Sequence, residues 1–392
     1  MLGSIYVGLS GLRAYSSGLK QVSENVANLN SLGFKSSTVS FTNLQAERDT
    51  GGIGFDGARG GNSGGVDLAG TTLNFKGGEL QQTDSDLDLA IDGTGFLTLM
   101  KGDEVRYART GRFEVDASGH VTLSGTEWRL ATLDAAGRPA AVGIDASRTD
   151  APVATTTITF ADNLSSTATT HSVSDLAVYD AAGVKHVWQV TLTREQGATE
   201  WAVKVVDDKG VTIGEVQKLA MAAGAPVAAG AKLTVADTAN DLSVVLDFAK
   251  GVTSFSSGSV STLRAAKVDG HATGTIVTLA VDRSGVLGIG YSNNEKKELG
   301  AVALATFRDE AALRQESGGF FALARPSEVA YLASADPRVG TVLSRRLEGS
   351  NVDLSREFGD LILIQRGYQA SSQIVSVSND MIQQLFGIRG QG

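Results

Sequence analysis

The sequence predicts a mainly β protein with long terminal α-helices, its β part nested as discontinuous domains between N- and C-terminal coiled-coil-like helices. Three observations carry this. Apolar residues step by threes and fours at both ends, short alternating strands with glycine-rich turns fill the middle, and strand text of one texture resumes after an interruption of different character. The 392 residues include 47 glycines, five prolines and no cysteine, with 42% hydrophobic content, which suits two or three ordinary cores without disulfides. A net charge of −9 argues against a nucleic-acid partner, which normally requires a basic patch.

At the N-terminus, Leu2, Ile5, Leu9, Leu12, Tyr15, Leu19, Val22, Val26 and Leu29 form a seam, and the charges up to Asn30 are Arg13, Lys20 and Glu24. Gly3, Gly8, Gly11 and Gly18 weaken the isolated helix, each by about 1 kcal/mol relative to Ala. The helix is therefore expected to fray until copies pack together. No basic start leads into an unbroken apolar run, so a cleaved signal peptide is not expected, and no stretch reaches the roughly 18 apolar residues of a membrane span. Asn28, Asn30, Ser31 and Gly33 supply the stop, which places the helical part at residues 1–32.

Residues 33–70, including GGIGFDGARGGNSGG, read as an extended linker lying on something else. Residues 71–144 then turn to short strands. In LDLAIDGTGFLTL, Leu87, Leu89 and Ile91 share one face while Asp86, Asp88 and Asp92 share a wet one, and DGTG turns into Phe96, Leu97 and Leu99 as a half-buried hairpin. Ala117-Ser118-Gly119 closes another hairpin. Similar text resumes over 273–339, completing a discontinuous inner β domain. The block between, 145–272, reads as an inserted outer β domain, with turns at Ala182-Gly183 and Gly197 and one strand face made of Val184, His186, Trp188, Val190 and Leu192.

Residues 340–353 read as a second extended linker, and 354–392 as the second helix. Its seam is Leu354, Phe358, Leu361, Gln365, Tyr368, Ser372, Val375, Asn379, Ile382 and Phe386. From Leu361 to Ile388 the only charges are Arg366 and Asp380, so the outer side of this helix expects a partner too. The bland alternative is that the two ends pack only on each other within a monomer. Two weakly charged helices at opposite ends of a strand-rich chain favour polymer-forming helices instead.

Motifs for chemistry are poor. Gly52-Ile53-Gly54-Phe55-Asp56-Gly57 matches GxGxxG, but polar QAERDT precedes it and no helix start follows. Ser17-Gly18-Leu19-Lys20 matches SxxK without a KTG partner. The ladder Asp84, Asp86, Asp88 lacks the glycine and glutamate of a calcium loop, and His120, His171, His186 and His271 have no ligand spacing. No catalytic residue, cofactor or metal site is proposed, and the chain is expected not to be an enzyme.

The stretch Asn25-Val26-Ala27-Asn28-Leu29-Asn30-Ser31-Leu32-Gly33-Phe34-Lys35 resembles the NxAN…GFK signature that closes the N-terminal helix of bacterial flagellar rod and hook proteins. SNVDL, with Ser350, Asn351 and Asp353, and QRGYQA, with Gln365, Arg366, Tyr368 and Gln369, resemble the signature of their C-terminal helix. LDLAIDGTGFLTL and YSNNEKKELGAVALATF are similar to the same family. Ser31 stands where the family usually has Thr, and Gly367 where Ala is common; both departures read as conservative. The outer block matches no family motif.

The resemblance implies an axial protein of the flagellum, and the inserted block at 145–272 points to a hook-type member. It implies a structural subunit of a helical tubular homopolymer, a flexible joint that passes motor torque from rod to filament. Implied partners are further copies of the chain, rod and hook–filament junction proteins, a hook cap and the type III export apparatus, with no membrane insertion. The implied location is the extracellular flagellum, reached without a cleaved signal. Ile5, Leu9, Leu12, Leu19, Val22, Val26, Leu29, Leu354, Phe358, Leu361, Tyr368, Val375 and Ile382 are the expected polymer interface. The outer block and the glycine-rich stretch from Gly51 to Gly70 are the expected sites of sliding. Rival readings are a distal-rod or other axial protein, and a β-rich surface adhesin.

Overall fold

Both apolar repeats are helices in a computed structural model of the chain, which describes residues 2–44 and 65–389. α1 spans Leu2–Ala27 and α2 spans Leu354–Arg389. Asp353 starts α2: its Oδ1 accepts from Ser355 N at 2.9 Å and Arg356 N at 3.3 Å, satisfying donors that a helix end otherwise leaves orphaned. After α1 the chain turns through Gly33, whose φ of +65° suits glycine. Strands dominate the described residues between the helices, as the sequence predicts.

The chain divides into two units: Met1–Asp145, Leu279–Gly288 and Glu298–Gly392 form one, Ala146–Thr278 and Ile289–Lys297 the other. In the first, a twelve-stranded sheet follows the path Leu313–Gln315, Phe320–Leu323, Glu104–Ala108, Phe96–Lys101, Arg129–Leu133, Val121–Leu123, Thr110–Val115, Asp88–Asp92 and Thr341–Ser344, with three further strands off it. Leu89, Leu97, Leu99, Leu130, Val302 and Leu304 are fully buried in its core. Beside them, edge-to-face rings pack Phe96 on Phe307 and Phe321 at 5.4 Å, and Tyr107 on Phe307 at 4.7 Å.

Two expectations are corrected here. LDLAIDGTGFLTL is not a hairpin: Asp88–Asp92 pairs with Thr110–Val115 and Thr341–Ser344, whereas Phe96–Lys101 pairs with other strands. Gly93 and Gly95 lie against the backbone of Val339 and Gly340, where a Cβ would sit 2.5 to 2.9 Å from Val339 O, and this packing carries the chain past its neighbour. Nor is Asp88 on a wet face. Its strand is interior, so Asp88, Leu89, Ala90 and Ile91 are all buried, and only Asp92 is exposed.

The stretches read as linkers also carry strands. Ser37–Leu44 pairs antiparallel with Gly65–Leu73, while Gly52–Gly57 lies outside the described residues. STVSFTNL is rich in β-branched and alternating residues, which the glycine-heavy text after it obscures. Near the other end, Thr341–Ser344 joins the large sheet and Arg346–Glu348 pairs with Leu80–Gln82.

The second unit holds two five-stranded sheets around one core. One is an antiparallel meander of Thr170–Tyr179, Lys185–Thr193, Glu200–Val206, Thr212–Ala222 and Ala225–Pro226. The other contains Thr157–Asn163, Lys232–Asp237, Leu242–Asp247, Val252–Thr253 and Arg264–Val268. Trp188, Val190 and Leu192 point inward at alternate positions as expected, whereas Val184 precedes the strand and is exposed. A separate four-stranded sheet follows the order Thr149–Asp150, Gly274–Val281, Val286–Tyr291, Lys296–Ala301.

One turn recurs through both units. Asp116, Asp134, Asp180, Asp207 and Asp282 each accept at Oδ1 from the backbone N–H four residues on, at 2.7 to 2.9 Å, with a glycine of φ +71° to +82° between. The backbone bonds from His120, Arg138 and Val184 hold the carboxyls of Asp116, Asp134 and Asp180 below their usual range; for Asp282 the Ser284 hydroxyl does most of this. A carboxyl depressed in the folded state contributes stability above its unfolded pKa, and that contribution is lost as pH falls through the folded value. The urea midpoint of the wild type should therefore drop below about pH 4. In Asp282→Asn, which cannot titrate, the same drop should be measurably shallower.

Candidate assembly site

α1 buries a single stripe, Gly8, Gly11, Ala14, Gly18, Val22 and Asn25, spaced by threes and fours. Most of these residues are small, which lets the helices approach closely. A Cβ on Gly8 would lie 2.6 Å from Val375 Cγ2, and one on Gly11 2.5 Å from Ser371 Oγ. From the other side, a Cβ on Gly367 would meet three ring atoms of Tyr15 at 2.4 to 2.8 Å. Gly367 is thus not a conservative departure: it makes room for Tyr15, which in turn leans on Phe41 with ring centroids 5.5 Å apart. The glycines that weaken an isolated α1 are the ones that seat it on α2.

Of the residues expected at the polymer interface, Val22 is buried. Ile5, Leu12, Leu19, Val26, Leu29, Leu361, Val375 and Ile382 are half-buried, and Leu9, Leu354, Phe358 and Tyr368 are exposed. The heptad pattern overlooked a second set on α2. Leu363, Ile374, Val377 and Met381 share one helix face, with Leu363 68% and Met381 54% exposed, while Leu354, Phe358 and Ile362 form a separate exposed row at four-residue steps, with Ile362 52% exposed. An apolar face this exposed on a helix marks a surface built for contact.

Where the helices meet the β framework, two family-motif residues, Gly33 and Lys35, meet at a residue that sequence reasoning missed, Glu348. Its Oε1 accepts from Lys35 Nζ at 2.5 Å and Gly78 N at 2.8 Å, and its Oε2 from Arg109 Nε at 3.1 Å. Its carbonyl accepts from Gly33 N at 2.8 Å, and its own N–H donates to Thr110 Oγ1 at 3.0 Å. The three charged side chains are at most 1% exposed. Arg109 spends its remaining donors on Gly93 O at 2.7 Å, Ile91 O at 3.3 Å and Gly95 O. Burial pushes the Lys35 ammonium below its usual value, against the pull of Glu348, and Lys35 Nζ also donates to Lys76 O at 2.7 Å.

Asn25, Asn28, Ser350 and Asn351 bond to other partners near the two helix ends. Asn25 donates from Nδ2 to Ser37 O at 2.9 Å and Glu357 Oε1 at 3.0 Å, and accepts from Ser37 N at 3.1 Å. Burial pushes the Glu357 carboxyl up. Asn351 accepts from Ser36 N at 2.7 Å and donates to Asn74 O at 2.6 Å, and its N–H donates to Phe34 O at 3.3 Å. Asn28 donates to Glu24 O at 2.8 Å and accepts from Ser31 Oγ, while Ser350 Oγ accepts from Val352 N. Gln365, Arg366 and Gln369 are exposed on α2. Lone charged residues in RRLEGS and YARTG give no hint of burial, so Glu348 and Arg109 had no signal in the sequence.

The residues weighed for chemistry stay apart. Lys20 is exposed beside Glu24, and the four histidines each bond locally: His120 with Ser118, His171 with Leu263 O, His186 with Asp180 and His271 with Asn293. Among the described residues no three metal-ligating side chains converge, and no helix is long and apolar enough to cross a membrane.

Residues 343–388 match a family model described as the flagellar basal body rod FlgEFG protein C-terminal. The chain is 28% identical to the flagellar hook protein FlgE of Salmonella typhimurium (strain LT2), over 97% of this chain and 98% of that one. With the flagellar hook protein FlgE of Borreliella burgdorferi the identity is 25%, over 99% of this chain and 100% of that one. A crystal structure of the Helicobacter pylori flagellar hook protein FlgE2 aligns with a TM-score of 0.50 at 13% identity, covering 70% of this chain and all of that one, a likeness of fold. End-to-end likeness to hook proteins supports a flagellar hook protein, as the motifs implied.

The contact between Tyr15 and Gly367 is testable. Gly367→Ala gains about 1 kcal/mol of helix propensity but overlaps a packed ring, at a typical cost of about 1–3 kcal/mol. Helix-pair melting followed by circular dichroism should shift down. In a Tyr15→Ala background the same change should shift it up, and an unchanged sign would show that the ring does not set the preference.

Proposed function

We propose that this chain is the structural subunit of the flagellar hook, a helical tube built from copies of itself that serves as a flexible joint between rod and filament. The observation that carries the reading is the exposed apolar face of α2, formed by Leu363, Ile374, Val377 and Met381, on a helix whose adjacent face already seats α1. Within one chain this face has little to do. Against a neighbouring copy it becomes a packed seam, and head-to-tail contacts that do not close on a ring build an open helix.

In this reading residues 1–32 and 354–392 form the core of the tube. Ile5, Leu9, Leu12, Leu19, Leu354, Phe358, Leu361, Tyr368 and Ile382 share the contacts between copies, while residues 145–272 ride outside as the sliding part. The polymer lies outside the cell, exported without a cleaved signal, and its further partners are the rod, the hook–filament junction, the hook cap and the export apparatus. It performs no catalysis. The C-terminal family model is named for rod proteins as well, which keeps a rod subunit as the second reading.

Immunogold electron microscopy with antibody to residues 146–278 decides between them. Label on a short curved segment at the filament base is the expected result; label seen only after the envelope is opened would move the protein to the rod, and label spread over the cell surface would remove it from the flagellum. At the molecular level, Leu363→Asp adds a charge at an already exposed position of this face. Its effect on monomer melting should stay within about 0.5 kcal/mol, yet sedimentation should show no polymer under conditions where the wild type assembles.

A further inference from the structure

The outer unit carries its charges unevenly. Three segments remote from one another in sequence, residues 163–174, 219–231 and 251–263, hold no Asp, Glu, Lys or Arg, although charged residues bound each of them on both sides. The structure brings all three to one end of the unit. Val153 and His271 bond to each other through their backbones, and the paired strands Thr157–Asn163 and Arg264–Val268 lead from there to that end. Asn163 then grips the loop that follows Val252–Thr253. Its Oδ1 accepts from Phe255 N at 2.9 Å, and its Nδ2 donates to Phe255 O and Ser257 Oγ, both at 3.1 Å. Ser165 and Thr167 donate to Gly258 O, and Ser254 N donates to Gly224 O at 2.8 Å.

A loop pinned at so many points holds its outward side chains in place. Phe255 is 61% and Val260 67% exposed. The Phe255 ring rests on Gly224, where a Cβ would come within 2.7 Å of two ring atoms. Beside it Ser166, Ser256 and Ser259 are exposed, and among the described residues their hydroxyls have no hydrogen-bond partner. An apolar protein partner would strip water from these hydroxyls without pairing them, and a charged partner finds no counter-charge. A sugar attached to one of them suits both features: its own hydroxyls stay in water, while its C–H bonds lie against the electron-rich face of the ring.

We propose that this end of the outer unit is an O-glycosylation site, with Ser166, Ser256 and Ser259 as acceptors and Phe255 as the surface on which the sugar rests. In the transfer a seryl Oγ attacks the anomeric carbon of a nucleoside-diphosphate sugar. The bond from that carbon to the diphosphate oxygen breaks, the nucleoside diphosphate leaves with the electron pair, and a base of the glycosyltransferase takes the hydroxyl proton. This chain supplies accessible hydroxyls on a fixed loop. The proposal concerns the surface of the single chain and does not depend on its place in a polymer.

Intact mass spectrometry of the full chain tests it. Chain captured from its own cells by antibody to residues 354–389 should be heavier, by one or more whole sugar residues, than the same chain made in a host without protein O-glycosylation. Alkaline β-elimination should remove the increment, and electron-transfer fragmentation should place it at Ser166, Ser256 or Ser259. Equal masses overturn the proposal, as does sugar found only at other residues. The triple variant Ser166→Ala, Ser256→Ala, Ser259→Ala, made in the same cells, should lose the increment yet melt like the unmodified wild type, because these side chains are exposed and unbonded; retained sugar overturns the assignment. Amides of residues 252–262 should exchange about threefold more slowly in the glycosylated chain than in the unmodified one. Equal exchange would overturn the resting place on Phe255.

Discussion

One carboxylate held between two buried cations is the constraint on which the helical end of this protein depends. Glu348 meets Lys35, Arg109 and Gly78 with its side chain and Gly33 and Thr110 with its backbone. Buried ion pairs are poor sources of net stability, because desolvation offsets the attraction. Their strength lies in intolerance of alternatives: any arrangement that separates the partners strands a charge in a low-dielectric site. The hub therefore specifies position. It fixes where the chain leaves α1, and it lies a few residues ahead of Asp353, the cap that starts α2.

The helices themselves solve a different problem. Glycine at four places in α1 is a poor choice for helix stability, and a charge-poor surface is a poor choice for solubility. Both make sense once the faces are separated. The small residues Gly8, Gly11 and Gly18 are spent on bringing α1 against Ser371, Val375 and Ile364 of α2, while Tyr6 and Leu9 of α1 and Leu363, Val377 and Met381 of α2 stay exposed. Close approach inside and apolar bulk outside is the division expected of a helix pair that is one layer of a larger assembly.

This division also shows what could be read from the chain. The helix end at Asn28–Gly33, and hairpins at Gly119, Gly183 and Gly197, are legible because capping and turn chemistry are local. The DGTG turn was misread because nothing local says that Asp88–Asp92 has neighbours on both edges, one of them contributed by Thr341–Ser344. Asp88 was assigned to water for the same reason. STVSFTNL was taken for linker because the glycines that follow dominate its window. The apolar repeat located the helices correctly but could not say which of its members α1 and α2 keep for each other. Glu348 and Arg109 were invisible: their burial arises from pairing across hundreds of positions, and an isolated Glu or Arg in a sequence reads as surface.

In a hook subunit, the hub also bears on where bending can occur. A charge-assisted contact such as Lys35 Nζ to Glu348 Oε1 at 2.5 Å loses its advantage within a small displacement, and Gly78 N and Gly33 N would be left unpaired with it. Such a junction holds or breaks; it does not stretch. The backbone contact beneath it is equally unyielding, since a Cβ on Gly78 would lie 2.1 Å from Gly349 O. Exposed Leu363, Val377 and Met381, by contrast, can exchange one apolar neighbour for another at little cost. In a hook subunit, rigid attachment of the helix pair to its β framework would pass torque on to the next copy instead of dissipating it within each subunit.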